Sequence, residues 1–189
     1  MVLRPTLSQI RSLNPEYVPP VALPAYDSLM IIAVIGGDPA PDEALAQAEA
    51  VGREVASRGH ILICGGRGGV MEAACRGASE AGGLTVGILP DADRSQMNPY
   101  VQIPIVSGMG RARNLTIALT ADALIAVDGG YGTLSEIGFA LAHEKPVAGI
   151  GTWRLETGSG EVPPIFHAQD PAEAVSWAIQ TAEARGTTI

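Results

Sequence analysis

The sequence predicts an α/β fold, a doubly wound parallel sheet of Rossmann-like type in a single domain. Three observations predict it. Short runs that are apolar throughout alternate with stretches of helical periodicity. Glycine clusters follow three of those runs. The chain's 189 residues suffice for one domain and leave little for a second.

Each element has its own signal. Residues 29–35 form a buried-strand run, followed by Gly36-Gly37-Asp38-Pro39. A helix is expected over 42–58, with Leu45, Ala48, Val51, Gly52 and Val55 at helical spacing and Gly59 ending it. Residues 61–64 read as the second strand, Gly65-Gly66-Arg67-Gly68-Gly69 as its loop, and 70–80 as the next helix. Strand three is expected over 84–89. The polar stretch 90–100 is long enough to act as a flap over a site. A short strand over 103–106 precedes a helix over 111–119. Another strand spans 123–127, after which Gly129-Gly130-Tyr131-Gly132 opens a helix ending near His143. Residues 146–150 form the next strand. Asp170-Pro171-Ala172-Glu173 is a capping box with proline at the first helical position. Strands that are apolar throughout are buried on both faces, so helices must cover both sides of the sheet. Residues 1–27 carry five prolines and little periodicity, and read as an extended arm ahead of a domain at 28–189.

Composition excludes several functions. Twelve Lys+Arg against twenty Asp+Glu give a net charge of −8, a poor basis for nucleic-acid or membrane-surface binding. Eleven of the basic residues are arginine and only Lys145 is lysine. No Gly-Lys pair exists for a Walker phosphate loop. Lys145 precedes Pro146 in a helix-to-strand connection, a poor place for a Schiff base to pyridoxal phosphate. Cys64 and Cys75 lack disulfide-framework or metal-ligand spacing and read as reduced, packed thiols. The three histidines are scattered, so neither a metal nor a resident cofactor is expected. No run approaches the ~20 apolar residues of a membrane helix, and the N-terminus has no signal-peptide core, so a cytoplasmic location is expected.

The chemistry is expected where open α/β sheets bind ligands, at the carboxyl ends of their strands. Glycine lets the backbone approach a ligand, and the following helix directs free N–H groups and the positive end of its dipole at the same space. The candidate phosphate- or nucleotide-binding residues are Gly36, Gly37, Gly65, Gly66, Gly68, Gly69, Met109, Gly129, Gly130, Tyr131, Gly132 and Thr133. Tight strand-to-helix turns are the competing reading of any single loop. A dinucleotide fingerprint fits less well, because Met71 stands where its third glycine belongs. Arg111 and Arg113 at a helix start oppose the dipole and imply a compensating anion. Being two apart they diverge, so only one is expected to reach the pocket, with surface ion pairing as the alternative. Thr133-Leu134-Ser135-Glu136 has capping-box spacing, which would leave Glu136 a structural role. The alternative is a carboxylate that stabilises positive charge on a sugar or holds a hydroxyl or water. On the capping reading, Glu136→Gln should preserve stability.

At these residues the chain resembles the LONELY GUY (LOG) superfamily, Rossmann-like proteins once labelled lysine decarboxylases. The resemblance runs from about Leu29 to Trp153. It rests on Gly65-Gly66-x-Gly68-Gly69-Val70-Met71-Glu72-Ala73-Ala74 and on Gly129-Gly130-Tyr131-Gly132-Thr133-Leu134-Ser135-Glu136. It implies hydrolysis of the N-glycosidic bond of a nucleoside 5′-monophosphate to base and ribose 5-phosphate. Arg113 and Glu136 would be the catalytic pair, and the glycine loops would grip the phosphate. The chain departs from the family's activating enzymes at Asn114 in place of lysine, Asp128 in place of proline and Ser135 in place of glutamate. The stretches at 81–90, 103–110 and 112–114 are similar instead to the branch containing molybdenum cofactor carrier proteins. That branch implies a non-catalytic carrier of a phosphorylated pterin. A nucleotide-sensing module is a third possibility. The family implies a homodimer or higher homo-oligomer, and the apolar helix over 134–141 is the candidate interface.

Overall fold

A computed structural model describes residues 29–186. The arm expected at 1–27 lies outside the described residues, as do residue 28 and the last three. The elements are β1 (Ile31–Gly36), α1 (Asp42–Ser57), β2 (Ile61–Cys64), α2 (Val70–Glu80), β3 (Thr85–Leu89) and β4 (Ile103–Val106). A 3-10 turn (Gly110–Ala112) leads into α3 (Arg113–Thr120), followed by β5 (Ala123–Val127), α4 (Tyr131–Ala142), β6 (Val147–Ile150), β7 (Ile165–His167) and α5 (Pro171–Ala184). All strand pairs are parallel, in the order β4-β3-β2-β1-β5-β6-β7. The doubly wound Rossmann-like fold is therefore observed.

The strands' apolar runs are explained by burial from two sides. In β1, Ile32 and Val34 face a core shared with α1, α2 and α5. Ala33 and Ile35 face a second core shared with α3 and α4. All five residues of β5 are buried. Each such Val, Leu or Ile contributes about 1.5–3 kcal/mol on leaving water. Of the capping box expected at Asp170–Glu173, the first half forms, with Asp170 Oδ1 accepting from the Glu173 N–H at 2.8 Å, while Glu173 Oε2 accepts from the Gln169 N–H, one residue before the N-cap, at 2.6 Å.

β7 has no counterpart in the sequence reading. It is three residues long and directly follows Val162-Pro163-Pro164, so it offers too little apolar run to register. The 90–100 segment is no free flap either. Asn98 is buried and donates to Arg67 O at 2.9 Å, while its N–H donates to Gly66 O and Thr85 Oγ1 donates to Tyr100 O. Only its first residues, Pro90 and Asp91, reach the cavity described below.

The order reverses between β1, whose other neighbour is β2, and β5, whose other neighbour is β6. The loops leaving β1 and β5 thus turn to opposite faces and open a crevice, the usual ligand position in such sheets. Behind it, α1 and α2 pack closely because glycine stands at both contact points. A Cβ on Gly52 would strike the Ala74 carbonyl, and one on Gly77 the Glu49 carbonyl. Neither obstacle is a side chain that could rotate away. Gly77→Ala is accordingly expected to cost about 1–3 kcal/mol through helix separation, read as a lowered urea midpoint with an unchanged m-value.

Candidate functional site

A cavity of about 460 Å³ occupies the crevice. Its wall comprises Gly36, Gly37 and Asp38 after β1, Arg67 and Met71 at the start of α2, and Pro90 and Asp91 after β3. Gly110, Arg111, Arg113 and Asn114 contribute from the start of α3, and Gly130, Tyr131, Gly132, Thr133 and Glu136 from that of α4.

The glycines divide by role. Gly36, Gly37, Gly130 and Gly132 line the cavity. Gly65, Gly66, Gly68, Gly69 and Gly129, together with Met109, do not. A Cβ on Gly65 would meet the Arg113 guanidinium, and one on Gly129 the Thr133 side chain. Gly66 and Gly69 have left-handed φ of 71° and 62°, with the Leu89 side chain and Gly37 O in the way of any Cβ. Gly68 abuts the Asp38 carboxylate. These residues let the loops pack on one another. Helix α2 is closed to ligand at its first amide, because the Val70 N–H donates to Gly37 O at 3.0 Å. Met109 is exposed outside the wall, its N–H donating to Ser107 Oγ.

Helix α4 differs. Its N-cap is Gly130, which supplies no side-chain cap. The first internal helix bond is Leu134 N–H to Gly130 O. The N–H groups of Tyr131, Gly132 and Thr133 therefore face the cavity region without an acceptor among the described residues, at the positive end of the dipole. With Thr133 in the third helical position, the Thr133–Glu136 spacing is not a capping box.

Glu136 instead projects into the cavity wall and meets Arg113. The Arg113 Nη1–Glu136 Oε1 distance is 3.3 Å, with both side chains about 8% exposed. Arg113 also donates from Nη2 to Gly65 O at 3.1 Å and from Nη1 to Asn114 Oδ1 at 2.9 Å. Its buried Nε has no acceptor among the described residues. Burial pushes the Glu136 carboxyl up to about 7, against the opposing pull of Arg113. Burial likewise works against the Arg113 charge, offset in part by Glu136. The pair thus costs desolvation on both sides.

Both arginines line the cavity, contrary to the expectation that only one would. The 3-10 turn ahead of α3 breaks the regular spacing, and arginine's length does the rest. Arg113 sits in the buried wall, whereas Arg111 is exposed and has no ion pair among the described residues. Three charged residues not expected from the sequence also line the wall: Asp38, and the pair Arg67 and Asp91, joined at 2.7 Å. Arg67 is the only side chain within its glycine run, and Asp91 lies just beyond a strand's carboxyl end; both positions were readable. Asn114 Nδ2 donates to Ser135 Oγ at 3.0 Å, so two departures from the resembled enzymes are bonded to each other. Asp128 adopts φ 51°, a left-handed conformation closed to proline. Cys64 and Cys75 are free and buried, with sulfurs 3.4 Å apart. Among the described residues no group of three or more His, Cys, Asp or Glu could hold a metal, and no helix is long and apolar enough to cross a membrane.

Fold and cavity define a doubly wound α/β protein with a polar ligand crevice at its switch point. The chain belongs to the SLOG cluster4 family, whose profile matches residues 29–176. It is 43% identical to an uncharacterised protein of Archaeoglobus fulgidus over 153 residues, 81% of this chain and 97% of that one. It is 32% identical to the cytokinin riboside 5′-monophosphate phosphoribohydrolase of Mycobacterium tuberculosis over 61% of this chain and 66% of the enzyme. Among solved structures, the molybdenum cofactor carrier protein of Chlamydomonas reinhardtii superposes with a TM-score of 0.70 at 36% identity, covering 82% of this chain and 99% of the carrier. The LOG-like resemblance, with its carrier branch, is thereby supported.

Glu136 caps nothing, and burial already favours its neutral form, so at neutral pH and above Glu136→Gln is expected to leave stability intact or raise it. Arg113→Met alone should cost about 3–5 kcal/mol, whereas Arg113→Met with Glu136→Leu should recover most of that loss. Denaturant unfolding of the parent, single and double variants measures this directly.

Proposed function

We propose that the protein is a phosphoribohydrolase acting on a nucleoside 5′-monophosphate. The observation that carries this reading is the buried Arg113–Glu136 pair in the same wall as the uncapped start of α4. The N–H groups of Tyr131, Gly132 and Thr133, with Arg111 at the mouth, suit a phosphate dianion. Tyr131 is 80% exposed at the rim, its ring 5.9 Å from that of Trp153, and presents an apolar face for a heterocyclic base.

In the reaction the bond from C1′ to the base nitrogen breaks and its electron pair leaves with the base. Positive charge develops over C1′ and the ring oxygen. An ionised Glu136 in a site shielded from water stabilises that charge. Water adds its oxygen to C1′, and the proton it releases is taken up by the departing base or by solvent. Arg113 holds Glu136 in place through its three acceptors. The similarity to the mycobacterial enzyme supports this reading.

A second reading, a carrier of the phosphorylated pterin of molybdenum cofactor, is favoured by the Chlamydomonas structure, which this chain covers almost end to end. The same amides and arginines would hold the phosphate, and the Tyr131 face the pterin. Under either reading we propose self-association on the α3–α4 side of the sheet, where Leu119, Phe139, Ile103 and Ile105 are exposed.

Release of ribose 5-phosphate from a panel of nucleoside monophosphates tests the hydrolase reading. No release from any of them, together with retention of molybdenum cofactor through gel filtration, would favour the carrier. For the hydrolase, Glu136→Gln should lower kcat about 100- to 1,000-fold. The acting form is the carboxylate, so kcat/KM should rise with pH to a plateau above about 7 and fall about tenfold per unit below it. A flat profile from pH 5 to 8 would remove Glu136 from that role.

A further inference from the structure

A second, smaller cavity of about 210 Å³ lies at the carboxyl ends of β6 and β7, one strand over from the crevice. It is lined by Gln47, the 149–152 turn, Arg154, His167, Ala168 and Gln169. In a chain of net charge −8, none of the described residues lining it is acidic, and two are basic. The nearby carboxylates of Asp170 and Glu173 are engaged in the α5 cap. Neither Arg154 nor the His167 ring has an ion pair or hydrogen bond among the described residues. Arg154 stands close enough to depress the His167 pKa, adding to the effect of burial. Two like charges facing one cavity repel unless an anion lies between them.

The backbone here is fixed rather than loose. Thr152 folds back over Gly149, which leaves no room for a Cβ there, and Gly151 turns the chain at φ 60°. Thr152 Oγ1 donates to Asp128 O at 2.6 Å, and Trp153 Nε1 donates to Gly130 O at 3.3 Å. One side of the 151–154 segment thus lines the small cavity while the other braces the loop that opens α4.

We propose that this cavity is a binding site for a small oxyanion of phosphate type, held by Arg154, His167 and the side-chain amides of Gln47 and Gln169. It is distinct from the crevice, does not depend on the chemistry assigned there, and is mechanically tied to it through Thr152 and Trp153.

Histidine NMR of the full chain, with the His167 signals assigned by loss in His167→Gln, tests this against inorganic phosphate. Saturable binding that raises the His167 pKa by about one unit, and loses that effect in Arg154→Gln, is the expected result. An Arg111→Gln variant should show the same response, separating this site from the crevice. A nucleoside diphosphate provides the second arm: a shift with it alone, lost in Arg111→Gln, identifies the oxyanion as the outer phosphate of a crevice ligand. A non-saturating drift shared by chloride, or an unmoved His167 with both phosphate ligands, would overturn the proposal.

Discussion

The contact between the Arg113 guanidinium and the backbone at Gly65 fixes the rest of the site. The guanidinium occupies the space a Cβ at position 65 would take, and its Nη2 donates to Gly65 O. That one side chain ties the loop after β2 to the first residue of α3. Through Glu136 it also reaches the second turn of α4. Three elements that leave the sheet on different strands are thereby brought to a common wall. Any residue larger than glycine at position 65 would displace the guanidinium and with it the partner of the carboxylate.

The glycine clusters serve this arrangement unequally. Those after β2 are used for close packing, with Gly69 against Gly37 O and Gly66 against Leu89. The loop after β5 keeps its amides open, because Gly130 offers no cap and Gly129 is packed from behind by Thr133. The start of α4 thus brings three open amides to the crevice, whereas α2 has its first amide, that of Val70, taken by Gly37 O. Arg111 and Arg67 add formal charge beside it, and Asp91 neutralises the latter at 2.7 Å. Backbone dipoles and guanidinium groups thus replace the lysine of other phosphate loops.

Much of this was legible in the sequence, for a definite reason. Strands buried on both faces must be apolar throughout, so β1, β2, β3, β5 and β6 announce themselves, and glycine clusters mark the carboxyl ends of β1, β2 and β5. β7 did not, since a three-residue edge strand after two prolines needs no such run. Arg113 and Glu136 were visible as types and positions, but their pairing was not. Thr-x-x-Glu spacing is the same whether a helix begins at Tyr131 or at Leu134, and only the observed N-cap at Gly130 separates the two. The divergence expected of Arg111 and Arg113 presumed a regular helix, which the 3-10 turn interrupts. Which glycines pack and which present amides depends on contacts between loops far apart in sequence, and no local pattern encodes it.

Asn114 and Ser135 show how the departures from the resembled enzymes fit together. Lysine and glutamate at these positions would be a charge pair; asparagine and serine are a neutral pair joined at 3.0 Å, with Ser135 Oγ donating on to Gly132 O. Asn114 Oδ1 still accepts from Arg113, so the guanidinium keeps its brace. What changes is the field. Positions 114 and 135 themselves carry no charge, and among the described residues Arg113 is the charge that offsets the burial of Glu136. The carboxylate's ionisation is then governed by one partner and by how much water the crevice admits. A ligand that brings negative charge toward Arg113 weakens that partnership, and one that develops positive charge beside Glu136 strengthens the carboxylate form. The neutral pair at 114 and 135 thus makes the charge state of this wall unusually responsive to what the crevice holds.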